Sequence, residues 1–166
     1  SFLGLHEEPL SIDEAFLDMS GADRLLGSPR EIGQGLKSDV REATGLTVSV
    51  GISTTKYVAK VASDHDKPDG LTLVPPDRVL SFLHPLGVKH LWGVGPKARE
   101  RLEELGLRTI GDVARASKAL LAEHLGSQGE HIHDLAHGRD DRDVIPEREA
   151  KSIGAEMTLE KDVVGP

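Results

Sequence analysis

Apolar residues alternate with polar or small residues in two short stretches of the first half of the chain. Residues 46–53, LTVSVGIS, and residues 70–75, GLTLVP, have this period of two, which predicts β-strands. Residues 27–45 instead carry an apolar stripe at helical spacing, and a second, shorter helix is predicted over residues 54–64. The pattern therefore predicts strands and helices in alternation.

The longer predicted helix carries its own start and stop signals. Ser28 can cap its N-terminus together with Glu31, Pro29 suits the first turn, and Gly45 can end the helix. We expect the helix to run between Ser28 and Gly45.

Residues 9–21, PLSIDEAFLDMSG, place two adjacent acids, Asp13 and Glu14, in a stretch that otherwise resembles a strand. Successive side chains of a strand point to opposite faces, so one carboxylate would point into the core, where it needs a partner. A tight turn at Asp13 and Glu14 would instead place both acids at a hairpin tip, where a divalent cation could neutralise them. A solvated acidic turn is the simpler interpretation of this stretch taken alone.

Pro75 and Pro76 separate two regions of different pattern. Before them, the order β, β, α, β, α, β predicts an α+β fold with helices packed on one side of a sheet. After them, nearly all predicted elements are short helices joined by glycine. We predict a domain at 1–75, a helical domain at 76–142, and a linker at 143–166 that includes the first strand of a further domain.

Composition and charge narrow the class of protein. The chain has 166 residues, no cysteine and a formal net charge of −8, so it has no disulfide framework or thiolate metal site. The net charge argues against a free-standing nucleic-acid binder held by bulk electrostatics. Neither a membrane-length apolar run nor a signal peptide is present, which predicts a cytoplasmic protein. Residues 88–115 are locally basic, with six basic residues against four acids.

The stretch LWGVGPKARERLEELGL, residues 91–107, predicts two helices joined by a tight turn at Gly93, Val94 and Gly95. Glycine permits close approach of a ligand, and amides at a helix N-terminus can bind a phosphate, to which Lys97 adds charge. This helix-hairpin-helix pattern is typical of binding to the DNA backbone. Gly-Pro can also simply end one helix and begin another, so the stretch alone leaves both interpretations open.

A weaker second copy, LGSQGEHI, places Gly126 and Gly129 in a similar arrangement, and two such hairpins could contact successive phosphates of a duplex. Trp92, the only tryptophan, is predicted to be a core anchor under the first hairpin. Lys56 and Lys60 lie four residues apart on one predicted helical face, and Lys67 follows in a loop. A lysine beside a carboxylate pair could neutralise a triphosphate.

Three stretches together, PLSIDEAFLD, VSVGISTTKYVAKVASDHDKPDG and LWGVGPKARERLEELGL, resemble the Y-family, lesion-bypass DNA polymerases, and most of all the bacterial DNA polymerase IV group. They occur in the family's order and span most of residues 8–154. The resemblance implies that residues 1–75 are part of a palm domain, residues 76–142 a thumb, and the last segment the start of a little finger domain.

The resemblance also implies the roles of the site residues. Asp13 would bridge two Mg²⁺ ions, Glu14 would bind the ion that activates the primer 3′-hydroxyl, and Lys67 would contact the incoming dNTP. The residues of the two hairpins would contact primer-template DNA: Gly93, Val94, Gly95 and Lys97 in the first, and Gly126 and Gly129 in the second. The family's sliding clamp would be a further partner of the complete protein.

The chain departs from the family pattern at both ends. The family's first metal-binding aspartate, its fingers and its aromatic gate have no counterpart before Ser11, and residues 1–6 match poorly. We therefore interpret the chain as a fragment that does not polymerise alone and binds DNA weakly. The alternatives are a non-catalytic helix-hairpin-helix DNA-binding module and an inactive polymerase homologue.

Two further features are predicted to have structural roles. His133 and His137 have a spacing that could bind a metal, but no third ligand is evident, so we expect two exposed histidines. Asp18, four residues after Glu14, is expected to support the hairpin and not to bind metal directly.

Overall fold

A computed structural model describes residues 6–145 of the chain. The chain begins with a β-hairpin in which strand β1 (His6–Pro9) pairs antiparallel with strand β2 (Ala15–Asp18), with Glu8 opposite Phe16. The backbone turns between the strands, and the carbonyl oxygen of Glu14 accepts hydrogen bonds from the amides of Leu10 and Ser11. The turn resolves the conflict between strand alternation and two adjacent acids, because neither acid has to enter the core.

The capping signals of the longer predicted helix are confirmed. After a short helix α1 (Asp23–Leu26), helix α2 (Pro29–Thr44) begins with a capping box formed by Ser28 and Glu31. It ends at Gly45, whose φ of 75° is a left-handed conformation that favours glycine.

The remaining strands of the first region form a parallel pair. Strand β3 (Val50–Ile52) and strand β4 (Leu71–Leu73) flank helix α3 (Lys56–His65), and β3 pairs with β4. Helix α3 lies directly on β3, since a Cβ at Gly51 would come 2.8 Å from the Ala62 carbonyl carbon. A side chain at position 51 would therefore push the helix off the strand.

The prediction of one sheet over 1–75 is wrong for the described residues, where the strands form two separate two-stranded sheets. Within residues 6–145, β1 and β2 pair only with each other. A cavity of about 1110 Å³, lined by residues of β2, α2, β3 and α3, separates this hairpin from the parallel pair. The α+β class itself is confirmed.

Short helices make up the rest of the described chain, as the glycine-punctuated pattern predicts. Two are single 3₁₀ turns, and the others are ordinary α-helices. The 3₁₀ turns are Pro76–Arg78 and Val88–His90, and the helices are α4 (Val79–Leu83), α5 (Pro96–Glu104), α6 (Ile110–Arg115), α7 (Lys118–Leu125) and α8 (Ser127–Ala136).

One apolar cluster packs the helical region against helix α3. Its fully buried members include Tyr57 from α3, Leu83 from α4, and Leu121 and Leu135 from α7 and α8. The cluster contains residues from both sides of Pro75 and Pro76, so packing does not divide the chain at this point. The domain boundaries therefore stay a prediction. The expected strand in 143–166 lies outside the described residues. None of the helices described between residues 6 and 145 is long and apolar enough to cross a membrane.

Candidate active site and nucleic-acid interface

The two adjacent acids lie at the tip of the β1–β2 hairpin, which confirms the prediction of a turn at this point. Asp13 is exposed, and its Oδ1 accepts a hydrogen bond of 2.7 Å from the Ser11 hydroxyl. Glu14 is half-buried and points toward helix α3, where it contacts Lys60. The hairpin therefore presents one solvent-exposed carboxylate and one that is paired with a lysine.

Glu14 belongs to a network of two acids and two lysines. Lys60 Nζ lies 2.7 Å from Glu14 Oε1 and 2.7 Å from Asp64 Oδ2. Lys67 Nζ lies 2.6 Å from Asp64 Oδ1 and 3.8 Å from Glu14 Oε1. The structure thus brings the predicted residues Glu14 and Lys67 together and adds Lys60 and Asp64 to the site.

Charge within the network stabilises its ionised forms. Burial alone would lower the pKa of Lys60, but its hydrogen bonds to Asp64 and Glu14 outweigh burial and raise that pKa. Burial likewise works to raise the pKa of Asp64, but the hydrogen bonds from Lys60 and Lys67 lower it below its ordinary value. The ion pair between Lys60 and Asp64 therefore holds both of these groups in their charged forms at neutral pH.

The hairpin tip offers the kind of ligand that Mg²⁺ prefers. Asp13 and Glu14 present carboxylate oxygens, and Mg²⁺ is commonly bound by one or two carboxylates together with water and substrate phosphates. Within residues 6–145 there is no group of three or more His, Asp or Glu side chains placed to bind a metal. In its chemistry the acid pair therefore fits part of a magnesium site.

The first predicted DNA-binding hairpin forms a tight turn between Leu91 and helix α5. Gly93 adopts φ of 86°, and the amide of Val94 donates to the Leu91 carbonyl. The element before the turn is the single 3₁₀ turn Val88–His90, so the prediction of a helix on each side of the turn is wrong in type for the first side. Gly95 has no side chain with which to cap α5, so it leaves the first amides of the helix open to an outside acceptor. Lys97 is exposed in that first turn.

The second predicted hairpin is the junction of α7 and α8. Gly126 is exposed with φ of 63°, whereas Gly129 is buried against the backbone of α7. The amide of Gly129 donates to the Gly126 carbonyl, so it is engaged within the protein. The structure therefore supports a packing role for Gly129 and leaves Gly126 as the exposed glycine of this junction.

A hydrogen bond connects the two predicted hairpins. Gln128, in the first turn of α8, donates from Nε2 to the Gly93 carbonyl at 2.5 Å. Both glycine turns therefore lie on the same side of the helical region, which is the arrangement that binding to one backbone requires.

Trp92 joins the helical region to the acid hairpin. It is partly buried and packs against the core, as predicted, with its ring centroid 5.9 Å from that of Phe16 on β2. The Arg142 guanidinium also lies over the indole, 4.2 Å from its centroid. The second contact carries no signal in the sequence, because it depends on the chain returning to the hairpin after α8.

The histidine pair and Asp18 differ in how well they match expectation. The rings of His133 and His137 are 4.6 Å apart, and both residues are half-buried, so the expectation that they are exposed is wrong. Burial, and then the neighbouring His137, lowers the pKa of His133. Asp18 Oδ1 accepts from the Ser20 amide at 2.9 Å, which supports the end of β2. The Ser20 side chain, and then this amide, lowers the pKa of Asp18.

Comparisons with known proteins identify both regions of the chain. A family described as the impB/mucB/samB family matches residues 2–64, and one described as the DNA polymerase-iota thumb domain matches residues 89–140. Together with the relatives described next, these matches place the chain in the Y-family of DNA polymerases, and the second match identifies residues 89–140 as similar to a polymerase thumb domain.

Curated relatives and solved structures agree with this assignment. DNA polymerase IV of Desulfatibacillum aliphaticivorans is 46% identical over 94% of this chain and 39% of its own length. DNA polymerase IV of Shewanella amazonensis is 46% identical over 94% of this chain and 44% of its own length. The crystal structure of DinB from Sulfolobus solfataricus superposes with a TM-score of 0.75 at 29% identity, covering 84% of this chain and 42% of that one. The chain thus spans less than half the length of these relatives.

Proposed function

We propose that the chain is the part of a lesion-bypass, DNA-directed DNA polymerase that carries two of its metal-binding acids and its thumb. The observation that carries this proposal is the pair Asp13 and Glu14 at a hairpin tip, with Lys60 and Lys67 beside it. A module that only binds DNA needs no adjacent acids at such a tip. Two carboxylates next to two ammonium groups instead suit a site that binds both metal and triphosphate.

Each side chain has a distinct task in this proposal. Asp13 and Glu14 would be magnesium ligands, and bound Mg²⁺ would supply the positive charge that stabilises the attacking and leaving oxygens of nucleotidyl transfer. Lys67 would contact the triphosphate of the incoming dNTP, since its ammonium group is half-exposed. Lys60 would orient the Glu14 carboxylate and balance its charge before substrate binds.

The helical region would bind the backbone of primer-template DNA. The open amides at the start of α5, with Gly93, Val94, Gly95 and Lys97, would contact phosphates without reading bases. Gly126 would contact a second phosphate on the same side. With a net charge of −8, the isolated chain would bind DNA weakly and with a shallow salt dependence. Fluorescence anisotropy over a salt series tests this, and high-affinity binding would contradict it.

The same proposal includes the remaining expectations from the resemblance. Within residues 6–145 no third acid joins Asp13 and Glu14 in a metal-binding group. The proposal also includes the expectation that this chain alone would not extend a primer. The sliding clamp would be a partner of the complete polymerase, and the cytoplasm its location.

Primer extension tests the proposed function. The full reading frame that contains this chain should extend a primer-template in Mg²⁺, and Asp13→Ala should abolish extension. Asp18→Asn is the matched control on the same hairpin, because asparagine keeps an oxygen acceptor for the Ser20 amide. If the parent protein binds DNA but neither it nor the control extends the primer, a binding module or an inactive homologue is the correct interpretation.

A further inference from the structure

The segment after the last helix returns to the acid hairpin. Residues 140–145, which we name the strap, run from the end of α8 past the start of α3 to strand β1. At its beginning, Asp140 accepts a hydrogen bond of 3.0 Å from the Tyr57 amide, in the first turn of α3. Arg142 donates to Asp140 through Nε at 2.6 Å while its guanidinium lies over Trp92. The Asp140 side chain is only 1% exposed, so the hydrogen bonds at this end of the strap are shielded from water.

The other end of the strap contacts a buried ion pair. Glu8 of β1 and Lys56 of α3 are 3% and 9% exposed, and Lys56 Nζ lies 2.5 Å from Glu8 Oε2. The same Glu8 oxygen accepts a hydrogen bond of 2.8 Å from the Ile145 amide. Lys56 Nζ also donates to the Asp143 carbonyl at 3.1 Å. Each charge of the pair therefore binds one backbone group of the strap.

These contacts make the strap and the hairpin dependent on each other. Buried charges are tolerated only when they are paired and their remaining hydrogen-bonding capacity is used. If the strap moved away, Glu8 and Lys56 would each lose a partner at a site closed to water. Glu8 is opposite Phe16 in the hairpin register, and that register also sets where the Asp13–Glu14 tip lies. Displacement of the strap would therefore disturb the hairpin that carries the acids.

We propose that Glu8 is a positioning residue: through Lys56 and the Ile145 amide it fixes the strap to the acid hairpin, so that the chain leaving the helical region and the two acids move as one unit. Glu8 does not contact substrate in this proposal. The attachment itself follows from contacts within the chain, whereas its consequence for nucleotide addition rests on the proposed function.

Native-state hydrogen exchange of the 166-residue chain tests the attachment without any variant. The Ile145 amide should exchange with the same denaturant dependence as the paired amides of β1 and β2, because one opening event would expose them all. Exchange of the Ile145 amide at the rate of an unstructured chain, while the hairpin amides stay protected, would overturn the proposal.

The double variant Glu8→Met/Lys56→Met tests the role of the ion pair. Replacing both charges by apolar groups of similar length leaves no unpaired charge from this pair, so we expect the fold to persist. Methionine cannot accept from the Ile145 amide, whose exchange should accelerate at least about tenfold. The Tyr57 amide, bound to Asp140, should stay protected and serves as the internal control. Glu42→Leu, on the exposed face of α2, is the control for loss of a carboxylate.

The conservative variant Glu8→Gln distinguishes the effect of the hydrogen-bond acceptor at position 8 from the effect of its negative charge. Its side-chain oxygen can still accept from the Ile145 amide, so protection of that amide should be partly restored relative to the double variant. Unchanged Ile145 exchange in the double variant would overturn the proposal. If the double variant does not fold, the exchange measurement on the unaltered chain decides.

Nucleotide addition by the complete polymerase provides the functional test. The double variant should lower the maximal rate of addition about tenfold with unchanged affinity for primer-template, because the acids are displaced while the DNA-binding hairpins are intact. An unchanged rate would overturn the positioning role. If the unaltered polymerase adds no nucleotide, the proposed function fails, while the exchange results still decide whether the strap is attached.

Discussion

A substitution at Gly129 can distinguish a packing role of this residue from a role in DNA contact. The residue is buried in α8, and a Cβ at this position would lie 2.9 Å from the Ala122 amide nitrogen and still nearer to the carbonyl group of Leu121. Ordinary contacts of a Cβ begin at 3.4 Å, so the contact with the Ala122 nitrogen alone would have to lengthen by 0.5 Å, and the contacts with the Leu121 carbonyl group by more. The atoms in the way belong to backbone, which cannot rotate aside. Helices α7 and α8 must therefore separate.

The expected cost follows from two opposing effects. Alanine gains about 1 kcal/mol over glycine inside a helix. Overpacking against a rigid neighbour costs about 1–3 kcal/mol or more, and helix separation also loosens Ile132 and Leu135, which are fully buried. Because backbone atoms are in the way, the overpacking cost is at its upper end of about 3 kcal/mol, and the alanine gain of about 1 kcal/mol leaves an expected loss of about 2 kcal/mol in the free energy of unfolding.

Urea unfolding followed by far-ultraviolet circular dichroism measures this loss, with an unchanged m-value as the sign that only stability changed. Gly35→Ala is the matched control, because Gly35 lies inside α2 and a Cβ there would have no described atom beyond its own helix backbone within 4 Å. The control should gain about 0.5–1 kcal/mol. A Gly129→Ala variant that is as stable as the unaltered chain would refute the packing argument and return Gly129 to the DNA interface.

Two further predictions concern buried polar groups. Tyr57 is fully buried, and burial raises the pKa of its hydroxyl, whose oxygen has no hydrogen-bond partner among the described residues. Tyr57→Phe should therefore raise the free energy of unfolding by about 1 kcal/mol in the same urea assay. A loss of stability in this variant would contradict the prediction. Burial lowers the pKa of His133 from its ordinary 6.5, so the unfolded chain binds a proton at higher pH than the folded chain does. Stability should therefore be complete above about pH 7 and decline as pH falls below 6.5, and His133→Phe should flatten that decline in thermal unfolding measured from about pH 7.5 to about pH 5.5. An equal decline in the variant would exclude His133 as its source.

Local signals made much of the fold predictable. Ser28, Glu31 and Gly45 each act within one helical turn, so the bounds of α2 could be predicted from neighbouring residues. The hairpin at Asp13 and Glu14 was predictable for a related reason, since a regular strand would have buried one of the acids. The number of sheets was not, because strand pairing depends on contacts between distant segments.

The residues of the candidate site likewise divide into those that the sequence pattern predicts and those that only the fold brings together. Asp13, Glu14 and Lys67 carry a recognisable pattern, whereas Asp64 is an ordinary acid on a helix until the fold places it beside Lys67. The sequence around Glu8 does not indicate its role either. Its burial depends on Lys56, which is 48 residues away, and on Ile145 of the strap, which is 137 residues away. Sequence pattern thus identifies the candidate site residues, and only the three-dimensional structure identifies the residues that contact them and hold them in place.

The proposed function requires that Asp13 and Glu14 bind the magnesium ions used in nucleotide addition. Single-turnover incorporation of one nucleotide by the complete polymerase, measured over a range of Mg²⁺ concentrations, tests it most directly. We predict that Asp13→Asn lowers the maximal rate about 10²–10³-fold at saturating Mg²⁺ and leaves the affinity for primer-template unchanged. An Asp13→Asn polymerase with the rate and Mg²⁺ dependence of the unaltered protein would contradict the claim.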